Sequence, residues 1–205
     1  MSLTLSAPID NAAPFIIPDD AIIGSHSDFE VVFLGPVGIG KTTAVRTLSS
    51  VPAVSSEVLA VSGEDFVAQE KKTTTVGIDM GMWERPDGSQ VALFGTAGQD
   101  RFHSSRTPAH NPEAGIALML FGYEHMLREQ LELWVDILDQ KRALHRTVVG
   151  VNFVSQDEPD PLPTVRKILN SMELGDIPAL MVDPRDPGDV ASIVESALQR
   201  VERFL

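Results

Sequence analysis

No cysteine occurs anywhere in the 205 residues, which excludes disulfides, thiol catalysis, cysteine-ligated metals and prenyl or palmitoyl anchors. Positive charge is scarce as well. Sixteen Lys and Arg stand against 29 Asp and Glu, leaving a net charge of −13. A nucleic-acid surface needs a basic face, so no nucleic-acid partner is expected. No Lys or Arg precedes Lys41, so a signal peptide with a cationic start is not expected. Ser2 stands where a myristoylation signal needs glycine. Long apolar runs are missing too: Gly115 to Phe121, the longest strongly apolar stretch, is far too short to cross a bilayer. With neither a lipid anchor nor a transmembrane segment expected, a cytoplasmic location is the default.

What is present suits one globular domain. A chain of this length, 43% hydrophobic and 22% charged, can bury a sizeable core once but is short for two domains. Residues 1–27 carry Pro8, Pro14 and Pro18, several acids and no helical period. They read as an irregular N-terminal extension, packed locally at most through Phe15, Ile16 and Ile17. The domain proper is expected over 28–205.

Within it, strand and helix patterns alternate. Phe29 to Leu34 is a short apolar strand, followed by a glycine-rich turn and a helix from about Lys41 to Ser49. Residues 77–84 and 90–94 read as a hairpin with Pro86-Asp87-Gly88 as its turn. Ile116 to Phe121 and Thr147 to Val154 are strands, as is Ile177 to Val182. Leu127, Leu131, Trp134 and Leu138 mark one helix face. Val165, Ile168, Leu169 and Met172 mark a helix starting after Pro163, where proline is tolerated. Val190, Ile193, Val194, Ala197, Leu198 and Val201 mark the closing helix. The alternation predicts an α/β fold, a mostly parallel sheet with helices on both faces, whose ligands sit beyond the carboxyl ends of the strands.

The first of those turns carries chemistry. Gly35-Pro36-Val37-Gly38-Ile39-Gly40-Lys41-Thr42 fits G-x-x-x-x-G-K-[ST], after a strand and opening a helix, as the P-loop requires. Glycines let backbone N–H groups point at phosphate oxygens, and the helix N-terminus adds positive potential. Gly35, Val37, Gly38, Ile39, Gly40, Lys41, Thr42 and Thr43 are therefore the candidate phosphate-binding residues. Lys41 would reach the β- and γ-phosphates, and the Thr42 hydroxyl would ligate Mg2+.

Two further segments narrow the kind of P-loop protein. Thr73-Thr74-Thr75-Val76-Gly77-Ile78-Asp79-Met80-Gly81 resembles switch I of Ras- and Rab-type GTPases. Leu93-Phe94-Gly95-Thr96-Ala97-Gly98-Gln99-Asp100-Arg101-Phe102 resembles their switch II, and order and spacing match. The resemblance covers about residues 29–205 and implies a Ras-like G domain of the P-loop NTPase class. It is similar above all to the prokaryotic branch, namely the gliding-motility polarity GTPase and the GTPases of actinobacterial conservon operons. Lys72-Thr73-Thr74-Thr75-Val76, Gly95 and Asp183-Pro184-Arg185-Asp186 follow the conservon pattern.

The resemblance implies that the Thr75 hydroxyl joins Thr42 on Mg2+ while its N–H meets the γ-phosphate. The Gly98 N–H would take a second γ-oxygen, and Gln99 would orient the attacking water as the catalytic residue. A neutral Gln suffices because phosphoryl transfer demands positioning and charge neutralisation, not a strong base. The same resemblance implies a GTP/GDP switch with a protein effector or regulator, the latter of Roadblock type.

Three positions depart from the family pattern. Gly95 replaces the usual Mg2+-side Asp, so the cation should be held more weakly unless Asp79 or Asp100 compensates. Val37 stands where Ras has glycine and would crowd Gln99, so slow turnover is expected. Of the base-reading motif N-K-x-D, Asn152 is in place, but Ser155 stands where the Asp should pair with guanine. Asp157 or Asp183 could substitute. Guanine thus rests on the resemblance, and ATP stays open. The histidines His26, His103, His110, His125 and His145 show no ligand spacing, although His103, Arg101 and Arg106 lie in the presumed switch II. Two alternatives to a slow GTPase stand beside it. One is an ATP-dependent P-loop enzyme, which would need a carboxylate at the strand ending at Phe94. The other is a pseudo-GTPase scaffold that binds nucleotide without hydrolysing it.

Overall fold

Four consecutive residues of the first strand, Val31 to Leu34, are fully buried. Only a strand covered on both faces can satisfy such a run, so it must lie in the middle of the sheet. The computed structural model places it there. It describes residues 27–55, 78–96, 111–154 and 159–203. The elements are β1 (Phe29–Leu34), α1 (Lys41–Leu48), β2 (Val54–Ser55), β3 (Asp79–Glu84), β4 (Gln90–Gly95), β5 (Gly115–Phe121), α2 (Glu124–Gln140), β6 (Thr147–Asn152), α3 (Leu162–Ser171), β7 (Ala179–Met181) and α4 (Pro187–Glu202). The sheet order is β2-β3-β4-β1-β5-β6-β7. β4, β1, β5, β6 and β7 run parallel, whereas β3 returns antiparallel on β4 and β2 antiparallel on β3.

Alternation along each strand sorts the apolar residues into two cores. Val31 and Phe33 of β1, Val91 and Leu93 of β4, and Ala117 and Met119 of β5 meet α1 and α4. Val32 and Leu34, Ala92 and Phe94, and Ile116, Leu118 and Leu120 meet α2 and α3. Leu127, Leu131, Trp134 and Leu138 line the buried face of α2, as their spacing predicts. The α/β expectation, with helices on both faces, is what the chain adopts.

Several boundaries differ from the sequence reading for local reasons. α3 starts at Leu162, so Pro163 occupies its second position, and the Leu162 N–H donates to Asp160 Oδ1 at 2.9 Å. β6 stops at Asn152 because Phe153 turns into the left-handed region with φ 57°. The last strand shrinks to Ala179–Met181, the three residues that find partners on β6. β2 and a 3-10 turn at Leu144–Arg146 carry too few residues for any period to show. The expected extension, Thr75, Gly98, Gln99, Asp100, Arg101, His103, Arg106, Ser155 and Asp157, with His26 and His110, lie outside the described residues.

α4 is fixed in three ways. Asp186 caps it, its carboxylate accepting from Gly188 N at 2.8 Å and Asp189 N at 3.0 Å, with Pro187 in the first turn. Glu195 receives a two-pronged bond from Arg85 at the end of β3, Nε to Oε1 at 2.8 Å and Nη2 to Oε2 at 2.7 Å. The guanidinium also lies over the Phe29 ring, 5.5 Å from its centre. Finally, the sheet offers no side chain beneath the helix at Gly115 and Gly150. A Cβ at Gly115 would meet the Ala197 carbonyl carbon at 3.0 Å, and one at Gly150 would meet Ile193 Cδ1 at 2.5 Å. Gly115→Val therefore pushes against backbone that cannot yield, and is expected to destabilise the fold by about 1–3 kcal/mol. A urea midpoint lowered at unchanged m is the expected reading.

Candidate functional site

The carboxyl ends of β1, β4, β6 and β7 converge on one end of the sheet, and the glycine-rich loop between β1 and α1 lies there. Its shape depends on three glycines. Gly35, Gly38 and Gly40 have φ of 136°, 81° and 106°, values that L side chains rarely adopt. Gly35 is additionally pressed against β5, where a Cβ would stand 2.1 Å from the Met119 carbonyl oxygen. Ile39 is fully buried and anchors the loop in the core shared by α1 and α4, whereas Val37 stands 79% exposed at the crest. Thr43 is exposed on the first turn of the helix. Gly40 begins α1 with no side-chain cap, and no acid occupies the first turn, so among the described residues no side chain caps the helix's positive end.

Lys41 crosses this loop from inside. Its ammonium donates to the Gly35 carbonyl at 2.8 Å and the Pro36 carbonyl at 2.7 Å, and only 7% of the residue is exposed. Burial lowers its pKa to about 8, while the nearby Asp79 carboxylate works against that shift. Thr42, next along, donates its hydroxyl to Asp79 Oδ2. Asp79 is the first residue of β3 and lies directly opposite Gly95, the last of β4. A hydroxyl and a buried carboxylate beside a phosphate-shaped loop are hard oxygen donors. They fit Mg2+, which takes one or two protein groups and completes its shell with phosphates and water. Among the described residues no three His, Asp or Glu side chains converge as a self-sufficient metal cage.

Two further segments close on the loop. Asn152 at the end of β6 donates from Nδ2 to the Ile39 carbonyl at 3.1 Å, which ties β6 to the P-loop. Pro184, after β7, is buried, and a Cβ on Gly40 would stand 2.6 Å from its Cγ. Asp183 carries a bidentate pair with Arg185, Nε to Oδ1 at 2.9 Å and Nη2 to Oδ2 at 2.7 Å. The side-chain and backbone bonds from Arg185 hold the Asp183 pKa down to about 2, so it is ionised at any working pH. Of the residues expected at the site, Gly35 to Thr43 and Asn152 are thus brought together, with Asp183 beside them next to Pro184.

Phe153 was not foreseen as a site residue. It follows Asn152, is 46% exposed despite being aromatic, and holds a left-handed backbone conformation that costs a bulky residue energy. Its ring leans on Phe121 at 5.3 Å, and Phe121 stacks with Tyr123 at 5.9 Å. The hint in the sequence was an aromatic residue directly after the one recognisable member of a base-reading motif.

No family model and no curated protein matches the sequence. Solved structures do match in fold. Nucleolar GTP-binding protein 1 of Plasmodium falciparum superposes with a TM-score of 0.57 at 13% identity, over 89% of this chain and 90% of that one. The cytosolic domain of the FeoB iron transporter of T. maritima, in its GMPPNP form, gives 0.50 at 14% identity. That match covers 85% of this chain and 64% of the other, so the present chain spans less than two thirds of it. The chain therefore has the α/β P-loop NTPase fold. No described helix is long and apolar enough to cross a membrane.

The burial of Lys41 makes a measurable statement about the empty protein. Its 13Cε resonance should titrate near pH 8, and Asp79→Asn should move that midpoint lower still, because the opposing negative charge is lost. Above about pH 8 and up to the ordinary lysine range, the unfolded chain keeps the proton that the folded one releases. Stability contributed by this group therefore rises with pH across that window. A Lys41 midpoint near 10.5 would refute the desolvated placement.

Proposed function

We propose that this chain is a small GTPase of the bacterial Ras-like kind, a switch that binds GTP with Mg2+ and hydrolyses it slowly to GDP. The observation that carries the reading is the loop from Gly35 to Thr42. Three glycines with positive φ curl it around an uncapped helix start, and Lys41 and Thr42 are already positioned at its base. Such a loop is complementary to an anion, and with Lys41 at its base it suits a phosphate-bearing ligand. Guanine is supported by the resemblance of residues 73–81 and 93–102 to GTPase switches, and by neighbours described as GTP-binding or as a GMPPNP form. Residues 28–205 form the G domain, and 1–27 precede it as an extension. A cytoplasmic location and a protein effector or Roadblock-type regulator complete the reading.

In this reading backbone N–H groups of the loop and the Lys41 ammonium take the charge of the β- and γ-phosphates. Thr42 and Thr75 would hold Mg2+, which when bound would supply positive charge for those oxygens. Gly98 and Thr75 meet the γ-phosphate through their N–H groups, so both segments release when it leaves. Gln99 orients the attacking water. Asn152 keeps the loop's back wall in place and faces the base with Asp183 nearby, while Phe153 offers a π-surface for it. The end of β4 favours a second reading: Gly95 supplies no carboxylate there, which suits a pseudo-GTPase that holds nucleotide without turnover.

Purified protein is expected to release guanine nucleotide on denaturation, identified by chromatography; adenine nucleotide alone would move the assignment to ATP. Lys41→Ala should lower triphosphate affinity at least tenfold by calorimetry, about 1.4 kcal/mol, with the fold retained. Unchanged affinity would end the P-loop assignment. Phosphate release at saturating GTP and Mg2+ is expected at about 10⁻⁴ to 10⁻³ per second, the range of an unassisted GTPase. Gln99→Leu should lower that rate while leaving affinity nearly intact, and Val37→Gly should raise it if it changes it at all. No release over many hours selects the pseudo-GTPase.

A further inference from the structure

We propose that Asp79 carries the cation-side carboxylate that β4 lacks, so that the acid of this P-loop site has moved one strand across the sheet. The inference rests on the nucleotide-binding reading above and assigns a residue within it. P-loop sites hold Mg2+ with the loop's Ser or Thr and with an acid at the end of a neighbouring strand. Here the neighbouring strand is β4, and its terminal residue, Gly95, has no side chain. The position opposite Gly95 in the antiparallel ladder is Asp79. Its carboxylate accepts from the Thr42 hydroxyl, the other group expected on the cation. It is 8% exposed and close enough to act electrostatically on Lys41.

The glycine and the acid fit each other. A Cβ on residue 95 would lie 3.2 Å from Asp79 Oδ2 and 3.3 Å from Asp79 Cβ, tighter than ordinary side-chain contact. A side chain on β4 would therefore press on the Asp79 side chain, which would have to give by a few tenths of an ångström, and a carboxylate there would set two like charges near each other. The glycine at position 95 and the acid at position 79 are thus compatible neighbours.

The test measures affinity for a fluorescent guanosine diphosphate on the full chain, with Mg2+ and with EDTA. Wild type should gain at least tenfold from Mg2+. Asp79→Asn, which keeps a hydrogen-bond acceptor for Thr42 but no charge, should lose most of that gain, read as the ratio of its own affinities with Mg2+ and with EDTA. The exchange variant Asp79→Ala/Gly95→Asp should recover the gain, and Gly95→Asp alone should not exceed wild type. Mn2+ in place of Mg2+ gives a second readout, since the Mn2+ paramagnetic resonance line should broaden on binding to wild type and to the exchange variant but not to Asp79→Asn. A Mg2+ gain unchanged in Asp79→Asn, or absent from nucleotide-binding wild type, overturns the assignment and leaves Asp79 as a structural acceptor for Thr42. Should Asp79→Asn fail to fold, the exchange variant decides, and failure to recover the gain overturns the proposal. Wild type that binds no nucleotide in either condition defeats the function reading itself, a result separable from the others.

Discussion

The site is organised around one buried positive charge. Lys41 lies at the start of α1 with its side chain turned back under the loop, where water cannot solvate it, so the surroundings must. The carbonyls of Gly35 and Pro36 do so, and they can point inward because Gly35 has the backbone freedom and the lack of Cβ that this turn against Met119 requires. Asp79 adds an opposite charge from β3. The antiparallel return of β3 on β4 sets Asp79 opposite Gly95.

Around this centre the loop is held from several sides. Ile39 fixes it to the core below, Asn152 ties its backbone to β6, and Pro184 closes against Gly40. Each contact comes from a different segment, and all lie at the carboxyl end of the sheet. A ligand that meets this loop meets loop backbone already shaped.

How much of this could be read beforehand depends on the range of the interaction. β1 ran over the residues its pattern indicated, α1, β4 and β5 differed by one residue at one end, and the faces marked for α2 and α4 are their buried ones. Their signals are local: an apolar run, a helical period, a turn between them. The P-loop residues were legible for the same reason, since eight neighbouring positions carry the motif. The contact between Thr42 and Asp79 spans 37 residues and that between Asn152 and Ile39 spans 113. No spacing rule encodes such distances, although the empty position at Gly95 did direct attention to Asp79. The left-handed turn at Phe153 ended β6 two residues early, because a bulky residue in that conformation is a tertiary outcome and not a propensity. The shortest elements, β2 and the turn at Leu144–Arg146, were beyond reach because two or three residues contain no period.

The seating of α4 on Gly115 and Gly150 also bears on how the chain matures. α1 and α4 share one face of the sheet, and Val45, Phe33 and Met119 are buried in the same cluster as Ile193, Val194 and Ala197. During synthesis the strands and α1 emerge first, and the partner that covers them follows only after residue 187. At about 5–20 residues per second, roughly 140 residues separate the end of α1 from the start of α4, an interval of about 7 to 28 seconds. Throughout it, one apolar face of the nascent sheet lacks its cover. Ile39 of the phosphate loop is buried in that same core, part of which only α4 supplies.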